Sequence, residues 1–65
     1  ELKTWQRRAI ELGVNLGPSG ADGRYGYRGS YTDMAARTVQ RAAGLSEDGL
    51  IGRDTWAAAW RIERV

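Results

Sequence analysis

Apolar residues recur at helical spacing in three separate stretches of the chain. Leu2, Trp5, Ala9 and Leu12 fall three or four positions apart with Ile10 flanking them, while Lys3, Arg7, Arg8 and Glu11 take much of the other face. That spacing predicts a first helix ending at Gly13. A second stripe of Ala35, Val39 and Ala42 lies in a run that opens at Thr32 and closes at Ala43. The Thr32 hydroxyl is placed to cap this helix, and Gly44 suits its C-terminal end. In the third run Thr55 takes the capping position, Trp56, Ala59 and Trp60 share one stripe, and Ile62 flanks it. Between the first two runs, residues 14–29 include Gly17-Pro18-Ser19-Gly20, which denies any long regular element, and Val14 and Leu16 are read as core anchors. No alternation of β-branched residues persists, so no strand is predicted. The pattern predicts an all-α, compact three-helix domain over residues 1–65, with short Ala side chains allowing close helix approach. Trp5 and Trp56 belong to its core, and Trp60 stands between core and surface.

The punctuation between these runs occurs twice, as Asp22-Gly23-Arg24-Tyr25-Gly26 and as Asp48-Gly49-Leu50-Ile51-Gly52. Asp-Gly is a strong turn signal, because the Asp carboxylate can accept from nearby backbone N–H groups and Gly takes positive φ without a Cβ clash. Thr32 follows the first copy and Thr55 the second, and upstream Trp5-Gln6-Arg7 is echoed by Val39-Gln40-Arg41. The chain is therefore a pseudo-repeat of two helix, loop and turn units plus a closing helix. Its halves are unequal, since the first loop is much the longer. Gln6 and Gln40, at equivalent places, either fix the turns by bonding loop backbone groups or line a ligand groove. The first role follows from the need to satisfy a buried amide.

These residues resemble the small peptidoglycan-binding domain of bacterial and phage cell-wall hydrolases. In that family a Gln-bearing helix leads to an Asp-Gly-x-x-Gly turn, a Thr-x-x-Ala helix closing on Gln, then Gly-Leu, Asp-Gly and Gly-x-x-Thr-Trp. The match runs through Thr32, Ala35, Ala36, Val39, Gln40, Gly44, Leu45, Asp48, Gly49, Gly52, Thr55 and Trp56. Val39 stands where the family more often has Phe, and residues 26–32 are a few positions longer than its usual Gly-x-x-Thr. The resemblance implies a non-catalytic module that binds the glycan strand and stem peptide of peptidoglycan and targets an attached hydrolase, such as an endolysin or amidase. It also implies a monomer within a multidomain chain, placed outside the cytoplasm at the cell wall by secretion or phage delivery, and an aromatic core residue at Tyr25.

Composition narrows the chemistry further. A domain of 65 residues buries only about 60% of its unfolded surface, and three Trp serve that small core. The absence of Cys excludes disulfides and thiolate metal sites, and the absence of His removes the commonest general base and metal ligand. No cofactor or metal is expected. The chain starts at Glu1 without Met and carries neither a signal-peptide pattern nor a bilayer-length apolar run, so it is read as a piece of a longer protein with no membrane partner. Net charge is +2, and nine of the ten basic residues are Arg, which suits bidentate contact with carboxylates or phosphates. Compositional bias toward Gly, Ala and Arg is the alternative account. Acidic and basic residues interleave, so no arm for nucleic acid is marked out.

Catalysis has no convincing constellation to work with. Asp22 and Asp48 could pose as an acid/base pair for glycoside cleavage, yet each sits in a turn that explains it. Asp33 and Asp54 flank the Thr positions, where a carboxylate favours a helix N-terminus, and Ser19, Ser30 and Ser46 lack a base. What remains is binding chemistry in the loop before the second helix: Arg24, Tyr25, Tyr27, Arg28, Ser30 and Tyr31, with Gln40 and Trp60 completing the candidate ligand set. Tyr rings offer apolar faces to the C–H side of a pyranose, and Arg forks match peptide carboxylates. Tyr27 and Tyr31 are expected to be exposed. Two rivals remain. A nucleic-acid module finds only Arg37 and Arg41 on its second helix, without the cluster that reads bases. A protein-docking or prodomain-like regulator needs an exposed apolar patch, and the inhibitory Cys of metalloprotease prodomains is missing.

Overall fold

Three helices form in the order α1 (Leu2–Glu11), α2 (Tyr31–Ala43) and α3 (Arg53–Arg61) in the computed structural model, which describes residues 1–65. There is no strand, as the periodicity predicts. α2 and α3 share the largest interface, and α1 packs across both. The core is small and alanine-rich. Trp5, Ala9 and Leu12 enter it from α1, Leu16 from the following loop, Ala35, Ala36 and Val39 from α2, and Ala58 and Ala59 from α3. Trp5 is fully buried and its indole N–H donates to the Thr55 carbonyl at 3.2 Å, so the largest core side chain also fastens α1 to α3. Leu16 fulfils its role as an anchor, and Val14 packs on the edge of the cluster.

Helix ends depart from the sequence expectation in an instructive way. Thr32 does not cap α2. Ser30 does, its hydroxyl accepting from the Asp33 N–H at 3.1 Å. Thr55 does not cap α3 either: the N-cap is Gly52, with no side-chain hydrogen bond. Both threonines are 5% exposed and turn their hydroxyls inward, where a Gln amide takes each one. A hydroxyl that accepts from a buried amide is unavailable to the helix terminus. Gly44 does end α2, in the left-handed conformation at φ +76°.

The last turn of α2 and the face of α3 depart by about one residue from the predicted stripes, while Ala35 and Val39 are buried as expected. On α2 Ala42 is exposed and Ala43 packs on the core. On α3 the buried residues are Thr55, Ala58 and Ala59, while Trp56 is only half-buried. Trp56 and Trp60 instead stack on each other along the flank, with centroids 5.7 Å apart, and Trp60 keeps 47% of its surface exposed. Small alanines let α3 approach its neighbours and point Thr55 inward, which a Trp at the contact would prevent.

Much of the arginine content fastens the fold. Arg8 donates from Nε to the Ala59 carbonyl (2.7 Å) and from Nη2 to that of Ile62 (3.0 Å), closing the end of α3. Arg61 reaches the Ala43 carbonyl at the end of α2, and Arg41 pairs with Glu47. Cations at helix C-termini also complement the helix dipole.

Candidate functional site

The pseudo-repeat is realised as two nearly identical hydrogen-bonded corners. In the first, the Gln6 Nε2 donates toward Asp22 Oδ1 (3.3 Å), the Arg24 carbonyl (3.1 Å) and Thr32 Oγ1 (2.9 Å), and its Oε1 accepts from the Gly23 N–H (2.8 Å). In the second, Gln40 Nε2 donates toward Asp48 Oδ1 (2.8 Å), the Leu50 carbonyl (3.1 Å) and Thr55 Oγ1 (2.9 Å), and Oε1 accepts from Gly49 (3.0 Å). The two protons on each Nε2 are shared among three acceptors. No backbone pair closes either corner. The Asp carboxylate does so instead, accepting the N–H two residues on, from Arg24 and from Leu50, each at 2.9 Å. Gly23 and Gly49 take φ of +78° and +77°. Both glutamines are buried, at 0% and 1% exposure, so of their two possible roles the one observed is fixing the corners.

These contacts hold both Asp carboxyls below the ordinary carboxylate range. For Asp22 the Arg24 backbone N–H is the main cause, joined by the Gln6 amide; for Asp48 it is the Leu50 N–H, joined by Gln40. A glycosidase acid needs the opposite shift. The corners therefore account for both residues as acceptors.

A third polar centre lies between the corners. Asp33 is 3% exposed, yet its carboxylate collects the Tyr25 phenol on Oδ1 (2.6 Å) and, on Oδ2, the Gly29 N–H (2.9 Å) and Arg37 Nε (3.2 Å). The Tyr25 hydroxyl also lies within hydrogen-bonding reach of the Gly49 carbonyl, and Arg37 continues to the Glu47 carbonyl at 2.8 Å. The phenol, the Gly29 N–H and Arg37 hold the Asp33 carboxyl down to about 2. Burial, with Asp33 beside it, pushes the Tyr25 phenol up to about 12. The sequence marks Asp33 only as a favourable charge at a helix start. The spacing of Ser30 to Asp33 to Arg37 is the signal that could have revealed more, since it pairs a cap with an i,i+4 ion pair.

Acid sensitivity follows from the direction of these shifts. A carboxyl with a folded-state pKa below its unfolded value stabilises the fold above that unfolded value and loses the contribution as pH falls through the folded one. The melting temperature should therefore hold down to about pH 4, then fall toward about pH 2, and Asp33→Asn should flatten part of that fall. Melts followed by circular dichroism from neutral pH to pH 2 check this. An unchanged midpoint across the acid range would contradict it.

The long loop and residues 16–24 enclose a cleft of about 460 Å³. Leu16, Pro18, Gly20, Tyr25, Tyr27, Ser30 and Tyr31 line it, together with Arg24. Tyr31 lies directly over Gly17, where an added Cβ would sit 2.5 Å from its ring atoms. Tyr27 is 74% exposed and Tyr31 47%, as expected. Arg28 is exposed on the same loop. Ser30 and Tyr25 face the cleft but spend their hydroxyls inside, Ser30 donating to the Tyr25 carbonyl at 2.7 Å. Thus Arg24, Tyr25, Tyr27, Ser30 and Tyr31 converge, with Arg28 beside them. Gln40 and Trp60 lie elsewhere. Gln40 borders a second depression of about 570 Å³ with Asp48, Arg53 and Asp54, and Trp60 stands on the α3 flank.

A family model described as "Putative peptidoglycan binding domain" matches residues 1–59. No curated protein and no solved structure matches the chain.

Proposed function

Because the chain belongs to the peptidoglycan-binding domain family, we propose that the cleft beneath the long loop holds the polymer, and that the domain tethers an attached cell-wall hydrolase to its substrate. The observation that carries this is the division among the cations. Arg8, Arg37, Arg41 and Arg61 are engaged in the fold, whereas Arg24 lines the cleft with Tyr27 and Tyr31 and makes no side-chain bond, and Arg28 is exposed on the same loop; Lys3, Arg7, Arg53 and Arg64 are unpaired too, but none of them lines this cleft. Rings of this kind stack on pyranose faces, and free guanidinium groups donate to stem-peptide carboxylates. A weak contact of this sort raises the local concentration of a linked enzyme near an insoluble polymer. The module works at the cell wall, outside the cytoplasm, delivered by secretion or by phage, with its own chemistry confined to binding.

The nucleic-acid alternative is disfavoured because Arg37 and Arg41, the cations of α2, are held by Asp33 and Glu47. The docking alternative finds the apolar patch it requires in the depression lined by Leu2, Tyr25, Leu50, Ile51 and Trp56; that depression holds no charged side chain to meet a stem-peptide carboxylate, which is why the polymer is assigned to the cleft.

Replacing Tyr27, Arg28 and Tyr31 together by Ala should leave the helical dichroism nearly intact and lower the melting temperature only slightly, since Tyr27 and Arg28 are exposed and only the Tyr31 contact with Gly17 is lost from the packing. Binding to peptidoglycan should weaken by about tenfold, equivalent to about 1.4 kcal/mol. Undiminished binding would place the ligand on another face.

A further inference from the structure

We propose that Asp33 is the positioning residue of this cleft: without reaching the ligand, it holds residues 25–30 in the binding conformation and joins them to the second corner. The inference rests on the cleft being the ligand site, as argued above. The loop is longer than a tight turn needs, carries glycine at positions 26 and 29, and has little apolar anchorage of its own, with Tyr27 and Arg28 both exposed. Its order therefore has to come from polar contacts. Those contacts converge on one carboxylate. Oδ2 fixes the loop backbone at the Gly29 N–H and Oδ1 fixes the Tyr25 ring by its phenol. The Asp33 N–H donates to the Ser30 hydroxyl, which itself donates to the Tyr25 carbonyl, and the Ser30 N–H closes on the Tyr27 carbonyl at 2.8 Å. With its backbone tied at Tyr25, Tyr27, Gly29 and Ser30, the loop turns the side chains of Tyr27 and Arg28 outward.

The other half of the centre points to the second repeat. Tyr25 also meets the Gly49 carbonyl, and Arg37 bridges from Asp33 to the Glu47 and Asp48 carbonyls at 2.8 and 3.4 Å. A charged carboxylate at 3% exposure is costly unless fully partnered, and here each oxygen has a donor. A neutral amide in its place cannot accept at both positions. It would turn an N–H₂ group toward either the phenol or the Gly29 N–H.

The test compares the parent domain with Asp33→Asn, Tyr25→Phe and the triple Ala variant, by peptidoglycan co-sedimentation and by amide hydrogen exchange. Asp33→Asn should weaken binding by about tenfold and speed exchange at Gly29 far more than at Val39 in the middle of α2. Tyr25→Phe, which keeps the ring and removes the phenol, should move both readouts in the same direction by less, and it carries the test if Asp33→Asn fails to fold. Equal acceleration at Gly29 and Val39 would mean general destabilisation and overturn the positioning role. So would normal binding by Asp33→Asn while the triple variant loses it. Full binding by the triple variant would instead overturn the assignment of the cleft, and the inference with it.

Discussion

Gly49→Ala is expected to remove a large share of the stability of the domain. Gly49 is buried at φ +77°, a region that strains a residue with a Cβ by about 1–3 kcal/mol. The space is also taken, because an added Cβ would collide with Asp33 Oδ1 and lie 3.1 Å from both the Tyr25 hydroxyl and Arg37 Nη2. These are the partners of a buried carboxylate and cannot retreat without leaving it unsatisfied. The combined loss should reach about 3 kcal/mol or more, against a total of roughly 3–10 kcal/mol for a chain this short. Gly23→Ala is the internal control. Its φ is +78°, but its Cβ would meet only the flexible stem of Lys3 at 3.2 and 3.3 Å. Denaturant titrations should place Gly49→Ala well below Gly23→Ala. Equal losses would show that backbone strain alone matters and that the Asp33 centre yields freely.

Gln40→Leu should be the second most damaging change, although it swaps a buried residue for an apolar one of similar size. It removes the amide from four groups at once: the Gly49 N–H, the Leu50 carbonyl, Thr55 Oγ1 and Asp48 Oδ1. A buried group left without its partner costs about 1–3 kcal/mol, and Gly49 and Thr55 are both buried. The loss should therefore be about 3 kcal/mol or more. Gln6→Leu should cost less, because Gly23 in the first corner is exposed and water can replace the amide. Urea unfolding of the two variants side by side checks the order. A neutral or stabilising Gln40→Leu would contradict the description of the corners as the fasteners of the fold.

The sequence made some of this visible and hid the rest for physical reasons. The α1 stripe was legible because Leu2, Trp5, Ala9 and Leu12 contrast sharply with the charged residues between them. The Gln and Asp-Gly echo gave away the repeat because the same residue types recur in the same order, although the bonds they make span up to 26 positions. The face of α3 is hidden in the sequence because Ala57, Ala58 and Ala59 carry no hydropathy contrast, so two large tryptophans dominate the periodicity while the packing favours small side chains. Ser30 and Thr32 compete for the cap of α2 on local rules alone. What decides between them is the Gln6 amide, which claims Thr32 from 26 residues away. Asp33 was undervalued for a similar reason, since its burial depends on Tyr25 and Gly29 folding back over it. The candidate Tyr and Arg residues were found as a cluster in the chain, but the cleft they form depends on Tyr31 settling against Gly17 and on the tie to Asp33, neither of which is written in local sequence.

The most direct measurement is co-sedimentation of the isolated domain with purified peptidoglycan stripped of attached polymers, with turbidity followed in parallel. The domain should pellet with the polymer in a saturable manner while the suspension stays turbid, as a binding module without hydrolytic chemistry would. Recovery of all the protein in the supernatant at high micromolar concentration, or clearing of the suspension, would contradict the account.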